Sequence, residues 1–254
     1  MQTFLALIER DIRVLGRDFF EFSARIIVQP FLFVFIFGYV LPSVGQVEPG
    51  YANFLMPGII ASSMMMAGVL GTAIPLSYDF GTTKEIEDRL MSPISTSALI
   101  VQKITMGTVQ AWLAGALVFP VAWVIMRNNL DITITSYPLL LIFLFLVGIA
   151  SACWGLALGT NVNPQKISTM FAIIIIPMIF LGATYYPWTS LSKIAWLQNL
   201  ILINPMVYAS EGFRAVITPQ ISHIRWLISI AGLLVGIGIL TLIGVKGFLK
   251  QAYS

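Results

Sequence analysis

Charge is scarce in this sequence. Only 10% of its 254 residues are Asp, Glu, Lys or Arg, against roughly 25% in a soluble domain. So few charges cannot clothe a globule of this size in water-facing groups, and the outer surface must therefore face lipid. The single cysteine, Cys153, lies inside an apolar run, which excludes an internal disulfide and a paired-cysteine metal site. The single histidine, His223, sits just before the last apolar run, where a structural or interfacial role fits better than catalysis. There is no G-x-x-x-x-G-K-[ST] phosphate loop, so if ATP drives this protein another subunit must bind it. Paired Asp motifs for metal-bound diphosphate are missing, which argues against a membrane prenyltransferase. No basic patch with interleaved aromatics occurs outside the hydrophobic runs, and nucleic acid is not an expected partner. Nor does the N-terminus read as a cleavable signal, because charges interrupt residues 9–18 before the first long apolar run begins.

What the chain has instead is apolar length. Hydrophobic residues make up 58%, and mean hydropathy is +0.90. A helix needs about 20 residues to cross a hydrocarbon core about 30 Å thick. Segments 24–42, 54–77, 104–126, 137–160, 167–186 and 226–245 qualify as spans, with Arg25 snorkelling at the start of the first. The expected fold is an all-α membrane protein of six transmembrane helices in one domain, 1–254.

Residues 3–22 differ in kind. Leu5, Ile8, Ile12, Leu15, Phe19 and Phe22 recur at steps of three and four, while Glu9, Arg10, Arg13, Arg17 and Asp18 fall mostly on the other face. That pattern suits a helix lying in the headgroup plane, with packing on a partner protein as the alternative. Orientation follows from Lys and Arg near the span ends. Six spans place Arg10, Arg13, Arg17, Arg25, Lys84, Arg89, Lys103, Lys166, Lys246 and Lys250 on the side of both termini. Arg127, Lys193, Arg214 and Arg225 fall on the other side. The richer side is expected to be cytoplasmic.

Two connections stand out. Residues 187–225 remain apolar and aromatic although they link the fifth and sixth spans, and Pro187, Pro205 and Pro219 punctuate them. Broken backbone at membrane depth is tolerated only where protein or water satisfies it. The reading is two short helices that dip in and return, with Glu211 and Arg214 placed to pair at i, i+3. A seventh span through 194–217 is the competing reading. Residues 78–103 hold the densest charge cluster. Within it Thr83 is a helix N-cap, Glu85 with Arg89 and Lys84 with Asp88 are spaced i, i+4, and Ile86 and Leu90 make a small apolar face ended by Pro93. This segment reads either as a solvated hairpin or as a docking helix.

The spans carry almost no ionisable residue away from their ends, which counts against an ion-coupled carrier or channel. No nucleophile has a credible base, which counts against an intramembrane enzyme. Gln29, Ser62, Ser63, Thr72, Gln110 and Ser151 are polar residues within spans, either lining a path or bonding between helices.

With these residues in view, the chain resembles the membrane subunits of type-2 ABC exporters, closest to the daunorubicin-type drug and nodulation-factor exporter group. The likeness is carried by Phe54-Leu55-Met56-Pro57-Gly58-Ile59-Ile60, by Lys84 to Pro93 with Leu99 to Lys103, and by a third stretch. That stretch runs from Pro177 through Leu181-Gly182-Ala183, Tyr185-Tyr186-Pro187, Asn204-Pro205-Met206 and Tyr208 to Arg214. The chain departs from the polysaccharide-exporting branch, since no Asn-rich, Lys-Val-Phe-Pro-like sequence follows Leu76. The resemblance implies an interfacial elbow helix over 3–22 and an ATPase-coupling helix over 83–91, with Thr83, Lys84, Glu85, Ile86, Asp88, Arg89 and Leu90. It also implies an outer re-entrant segment over 187–217, with Tyr185, Pro187, Asn204, Pro205, Glu211 and Arg214 at the gate. It further implies two permease copies and two ATP-binding subunits in a bacterial inner membrane, with ATP and Mg bound by the partner and no cofactor in this chain. The expected cargo is an amphipathic or hydrophobic molecule.

Overall fold

Apolar sequence makes helix almost throughout, and Pro30, Pro57, Pro75, Pro120 and Pro177 all lie inside helices. The computed structural model describes residues 2–46, 51–81, 95–126, 134–162 and 166–252. Among them nine α-helices follow in order: α1 (Gln2–Arg17), α2 (Phe19–Phe35), α3 (Tyr51–Gly81), α4 (Thr96–Met126), α5 (Tyr137–Asn161), α6 (Ile167–Phe180), α7 (Ala195–Leu200), α8 (Pro205–Ile217) and α9 (Trp226–Ala252). A π-helical turn, Ile36–Val40, and a last short turn, Leu41–Ser43, prolong α2. On length and composition α2 with its extension, α3, α4, α5 and α9 can each cross a membrane, and a sixth crossing is made if α7 and α8 count as one broken span. The chain is an all-α, multi-pass membrane protein.

α3 is the central staff of the bundle. Of its most apolar window 72% is buried, against 17% for α9 and 11% for α2, so the last two present their flanks outward. Small residues let α5 press on α3. A methyl added at Gly155 would stand 2.7 Å from the Val69 carbonyl oxygen, and one at Gly159 would stand 2.9 Å from that of Ala73. This small-xxx-small spacing brings backbones together where lipid offers no hydrophobic drive for helix association. Met56, Ile60, Met64, Phe143, Val147 and Phe213 fill the core beside it.

Three sequence expectations shift. The 167–186 span is helical only from Ile167 to Phe180, 14 residues, or about 21 Å of rise. It stops because Leu181–Tyr186 turns back toward the bundle, with Ala183 in the left-handed region at φ 53°. The helix expected at the interface over 3–22 ends at Arg17. Asp18 breaks the chain at φ −99°, ψ 17°, and Phe19–Phe22 already belong to α2. The expected apolar stripe also divides. Ile12 and Phe19 are 49% and 42% exposed, whereas Phe22 is buried, and Leu7 packs beside Leu76, Leu99 and Phe248. On the bundle side of α1, Asp11 accepts a hydrogen bond from Gln102 Nε2.

The two ends of the bundle are distinct. At the α1 end, Phe80 meets Phe248 edge-on at 5.1 Å and Asp79 pairs with Lys103 at 2.6 Å, both nearly enclosed. At the opposite end Thr135 N–H donates to the Val216 carbonyl at 3.0 Å, joining the start of α5 to the end of α8.

Candidate functional site

The best-enclosed charges in the described structure belong to the bent pair α7–α8. Its two arms, Ala195–Ile203 and Pro205–Ile217, meet at 99°. Asn204-Pro205 makes that corner. Pro205 sits at the first helical position, where a missing N–H costs nothing. The Asn204 side chain accepts from Met206 N–H at 3.0 Å, and its Nδ2 donates to the Met178 carbonyl at 2.7 Å, pinning the corner to α6. Tyr208 OH returns to the Leu202 carbonyl at 2.8 Å. The corner lies deep beside α9, since a methyl at Gly236 would meet Pro205 and one at Gly232 would meet Tyr208. From there α8 climbs toward the start of α9. The single straight span through 194–217 is therefore not what forms.

One turn and two residues beyond the corner stands Glu211, with Arg214 three residues further; neither exposes any side-chain surface. Arg214 Nη1 donates to Glu211 Oε1, and Nη2 donates to the Ala183 carbonyl at 3.0 Å. Glu211 Oε1 also accepts from Trp188 N–H at 3.0 Å, while Oε2 accepts from Ile224 N–H at 2.7 Å. The Arg214 guanidinium carbon lies 5.8 Å from the centroid of the Phe54 ring, close enough for a cation–π contact. Two side chains thus hold the turn after α6, the entry to the bent pair, the link into α9 and the start of α3. A desolvated pair survives only when its remaining lone pairs and protons are matched. Here backbone groups supply most of them, while Arg214 Nε has no partner among the described residues.

Close approach reinforces the junction. A methyl added at Gly58 would fall 1.9 Å from the Thr184 carbonyl oxygen, so only glycine lets α3 lie against this turn. Tyr185 carries the junction to α2: its ring stacks on Phe33 at 4.9 Å and lies 5.3 Å from Phe180. Pro187 opens the 3₁₀ turn Trp188–Lys193, closed by Ser190 N–H on the Pro187 carbonyl at 3.0 Å. The apolar loop packs inward through Ile201, Ala183, Val207 and Ile224, while Trp196 and Ile203 stand 69% and 81% exposed.

Of the six residues expected at the gate, Glu211 and Arg214 make the junction, Tyr185 and Pro187 flank the backbone groups they bind, and Asn204 and Pro205 form the separate corner of the bent pair. Their sequence pattern did not reveal Ala183, Trp188 and Ile224, which contribute backbone groups that carry no side-chain signature. The buried Asp79–Lys103 pair was also missed, although both residues flank the charge cluster. The expected coupling residues Thr83, Lys84, Glu85, Ile86, Asp88, Arg89 and Leu90 lie outside the described residues. Three of the six polar span residues bond within their own helices. Ser62 donates to the Ile59 carbonyl at 3.0 Å, Thr72 to that of Gly68 at 2.9 Å and Ser151 to that of Gly148 at 2.7 Å. His223 donates from Nδ1 to the Ile221 carbonyl at 2.7 Å, a local turn contact.

A bundle of apolar helices with a broken helix pair locked by buried charge defines a multi-pass, all-α membrane protein. Residues 2–218 match the ABC-2 type transporter family, and the chain belongs to it. Among curated relatives, the inner membrane transport permease YadH of Escherichia coli (strain K12) is 27% identical over 188 residues, covering 72% of this chain and 70% of YadH. The putative transport permease ycf38 of Porphyra purpurea is 26% identical over 201 residues, covering 75% of this chain and 65% of ycf38. The counterpart from Pyropia yezoensis is 27% identical over 199 residues, with 74% and 65% covered.

Proposed function

We propose that this chain is the permease subunit of an ATP-driven exporter of the inner membrane, moving an amphipathic or hydrophobic molecule outward. The observation that carries the reading is the family match across residues 2–218; the relative from Escherichia coli is named as an inner membrane permease. Two copies of the chain pair with two ATP-binding subunits, which hold ATP and Mg, and both termini face the cytoplasm. On this reading the α1 end carries the coupling segment 83–91 and the bent pair α7–α8 lies at the outer end. The sequence pattern resembles that of the drug and nodulation-factor exporters, which supports a cargo of that kind. ATP binding draws the nucleotide subunits together and shifts the balance between two arrangements of the paired bundles. Re-entrant helices held at one junction suit a part that moves as a unit.

The test is recovery of the intact assembly from native membranes in mild detergent, followed by native mass measurement and ATP-dependent transport into inverted vesicles. Two copies of this chain with two ATP-binding-cassette subunits is the expected composition. A transport-competent complex without any nucleotide-binding subunit overturns the assignment.

A further inference from the structure

A second feature lies at the other end of the bundle from the Glu211–Arg214 junction. A cleft of about 610 Å³ opens between α1–α2 and the facing sides of α3 and α4. Its volume falls within the roughly 300–1,000 Å³ range of sites that enclose small ligands. Its lining is sorted by depth. At the rim are Arg10, Asp11, Asp18 and Glu21 from α1 and the start of α2, with Asp79 and Lys103 from the facing ends of α3 and α4. Further in, the wall becomes mainly apolar, with Phe22, Ile26, Leu70 and Ile74, reaching Ala67, and with the Gln110 side chain beside Gly71. Ala67 lies twelve residues before Asp79 on α3, which is about 18 Å along the helix. The cleft therefore runs from the level of α1 toward the middle of the bundle, charged at one end and apolar at the other.

The rim is built rather than incidental. Lys103 and Asp79 are 7% and 10% exposed and pair at 2.6 Å across the facing ends of α3 and α4. Arg10 and Asp11 pair at 3.2 Å alongside. Both signs of charge thus lie within one rim, above an apolar wall.

We propose that this cleft binds the head of a zwitterionic amphiphile drawn from the leaflet beside α1. Its anionic group meets Arg10 and Lys103, its ammonium meets Asp18 and Glu21, and its tail lies along α3 between Leu70 and Ala67. The ligand chemistry is shared by a resident ethanolamine phospholipid and by a transported amphiphile of the same build. As a loading site for cargo the cleft rests on the permease reading; as a phospholipid site it stands apart from it.

The experiment uses the full chain in nanodiscs of phosphatidylglycerol, without nucleotide, and a lysophosphatidylethanolamine carrying a diazirine on its tail. Saturable photolabelling is expected on α2, α3 and α4 peptides around Phe22–Ile26 and Ala67–Ile74. Unlabelled lysophosphatidylethanolamine should compete, and a monoacylglycerol of equal tail length should not. The combined Arg10→Gln, Asp18→Asn and Glu21→Gln variant should weaken labelling by about tenfold, corresponding to about 1.4 kcal/mol, while a Lys250→Gln control is unchanged. Equal competition by the monoacylglycerol, or labelling spread evenly over the outer faces of α2 and α9, overturns the proposal even if the triple variant fails to fold. With the ATP-binding subunit added, loss of label on ATP addition identifies cargo, and retention identifies a resident lipid. Since binding is read without nucleotide, its absence removes the cleft site alone; an assembly lacking an ATP-binding subunit removes only the permease assignment.

Discussion

Glu211 and Arg214 lie on one face of α8 with no side-chain surface exposed, and between them they bond to backbone groups of Ala183, Trp188 and Ile224. Exposed ion pairs contribute little, typically about 0–1 kcal/mol, because water and salt screen them. This pair has no such screening.

Removing one partner should therefore be costly. Glu211→Gln and Arg214→Met are each expected to destabilise the protein by about 3–5 kcal/mol, because the remaining charge is left buried without its mate. The double variant should lose less than the sum of the two. Thermal unfolding in one detergent, read as a double-mutant cycle, checks this; strict additivity would show that the two side chains act independently.

Gly58 tests the backbone contact beside that pair. Gly58→Ala places a methyl 1.9 Å from the Thr184 carbonyl oxygen, an overpacking expected to cost about 1–3 kcal/mol. Gly238→Ala meets nothing within 4 Å on α9, so its effect should stay within about 0.5 kcal/mol. Melting temperatures of the two variants, measured side by side, decide whether α3 and the turn truly abut.

The Asp79–Lys103 pair, joining α3 to α4 at 2.6 Å, makes a parallel prediction at the other end. Lys103→Met should lower stability by about 3 kcal/mol or more, and adding Asp79→Asn should restore much of it. If the single and double variants unfold together, the pair carries no net coupling.

Orientation can be read by labelling in a Cys153→Ser background. Cys153 is buried and its Sγ lies 3.2 Å from Thr241 Oγ1, a pair that Ser can replace with a hydroxyl contact. Cysteines at Gln46, Asn129 and Lys193 should react with an impermeant maleimide from outside, and those at Thr83, Gln165 and Ser254 only after permeabilisation. Outside labelling at Ser254 means an odd number of crossings.

Coupling is tested at residues 83–91. Glu85→Arg and Ile86→Asp should leave insertion and stability unchanged but abolish transport and the stimulation of ATP hydrolysis by cargo. Apolar contact supplies grip and charge sets register in such docking. A solvated hairpin predicts almost no effect, since an exposed i, i+4 pair contributes only about 0.3–0.5 kcal/mol. Normal transport by both variants removes the docking role.

The helices themselves were legible along the chain, because lipid forces every spanning backbone group to bond within its own segment. Runs such as 137–160 and 226–245 could become little else, and Tyr137–Asn161 and Trp226–Ala252 follow them closely. Asn204-Pro205 announced its corner through an N-cap side chain and a residue that donates no hydrogen bond. The i, i+3 spacing of Glu211 and Arg214 was equally plain, as was their capacity to pair. Their burial was not. Local spacing says which side chains can meet on one helix, while desolvation depends on what other helices bring. Gly58, Ala183, Trp188 and Ile224 come together from segments up to 166 residues apart, and all four act through backbone or through the lack of a side chain. The length of α6 was decided the same way: the apolar run through Tyr186 would permit more helix, but the turn at Ala183, held by Arg214, ends it at Phe180. Composition and period thus determined that the chain enters the membrane as helices. Only packing, which matches donors to acceptors across distant segments, decided where its charge could be hidden.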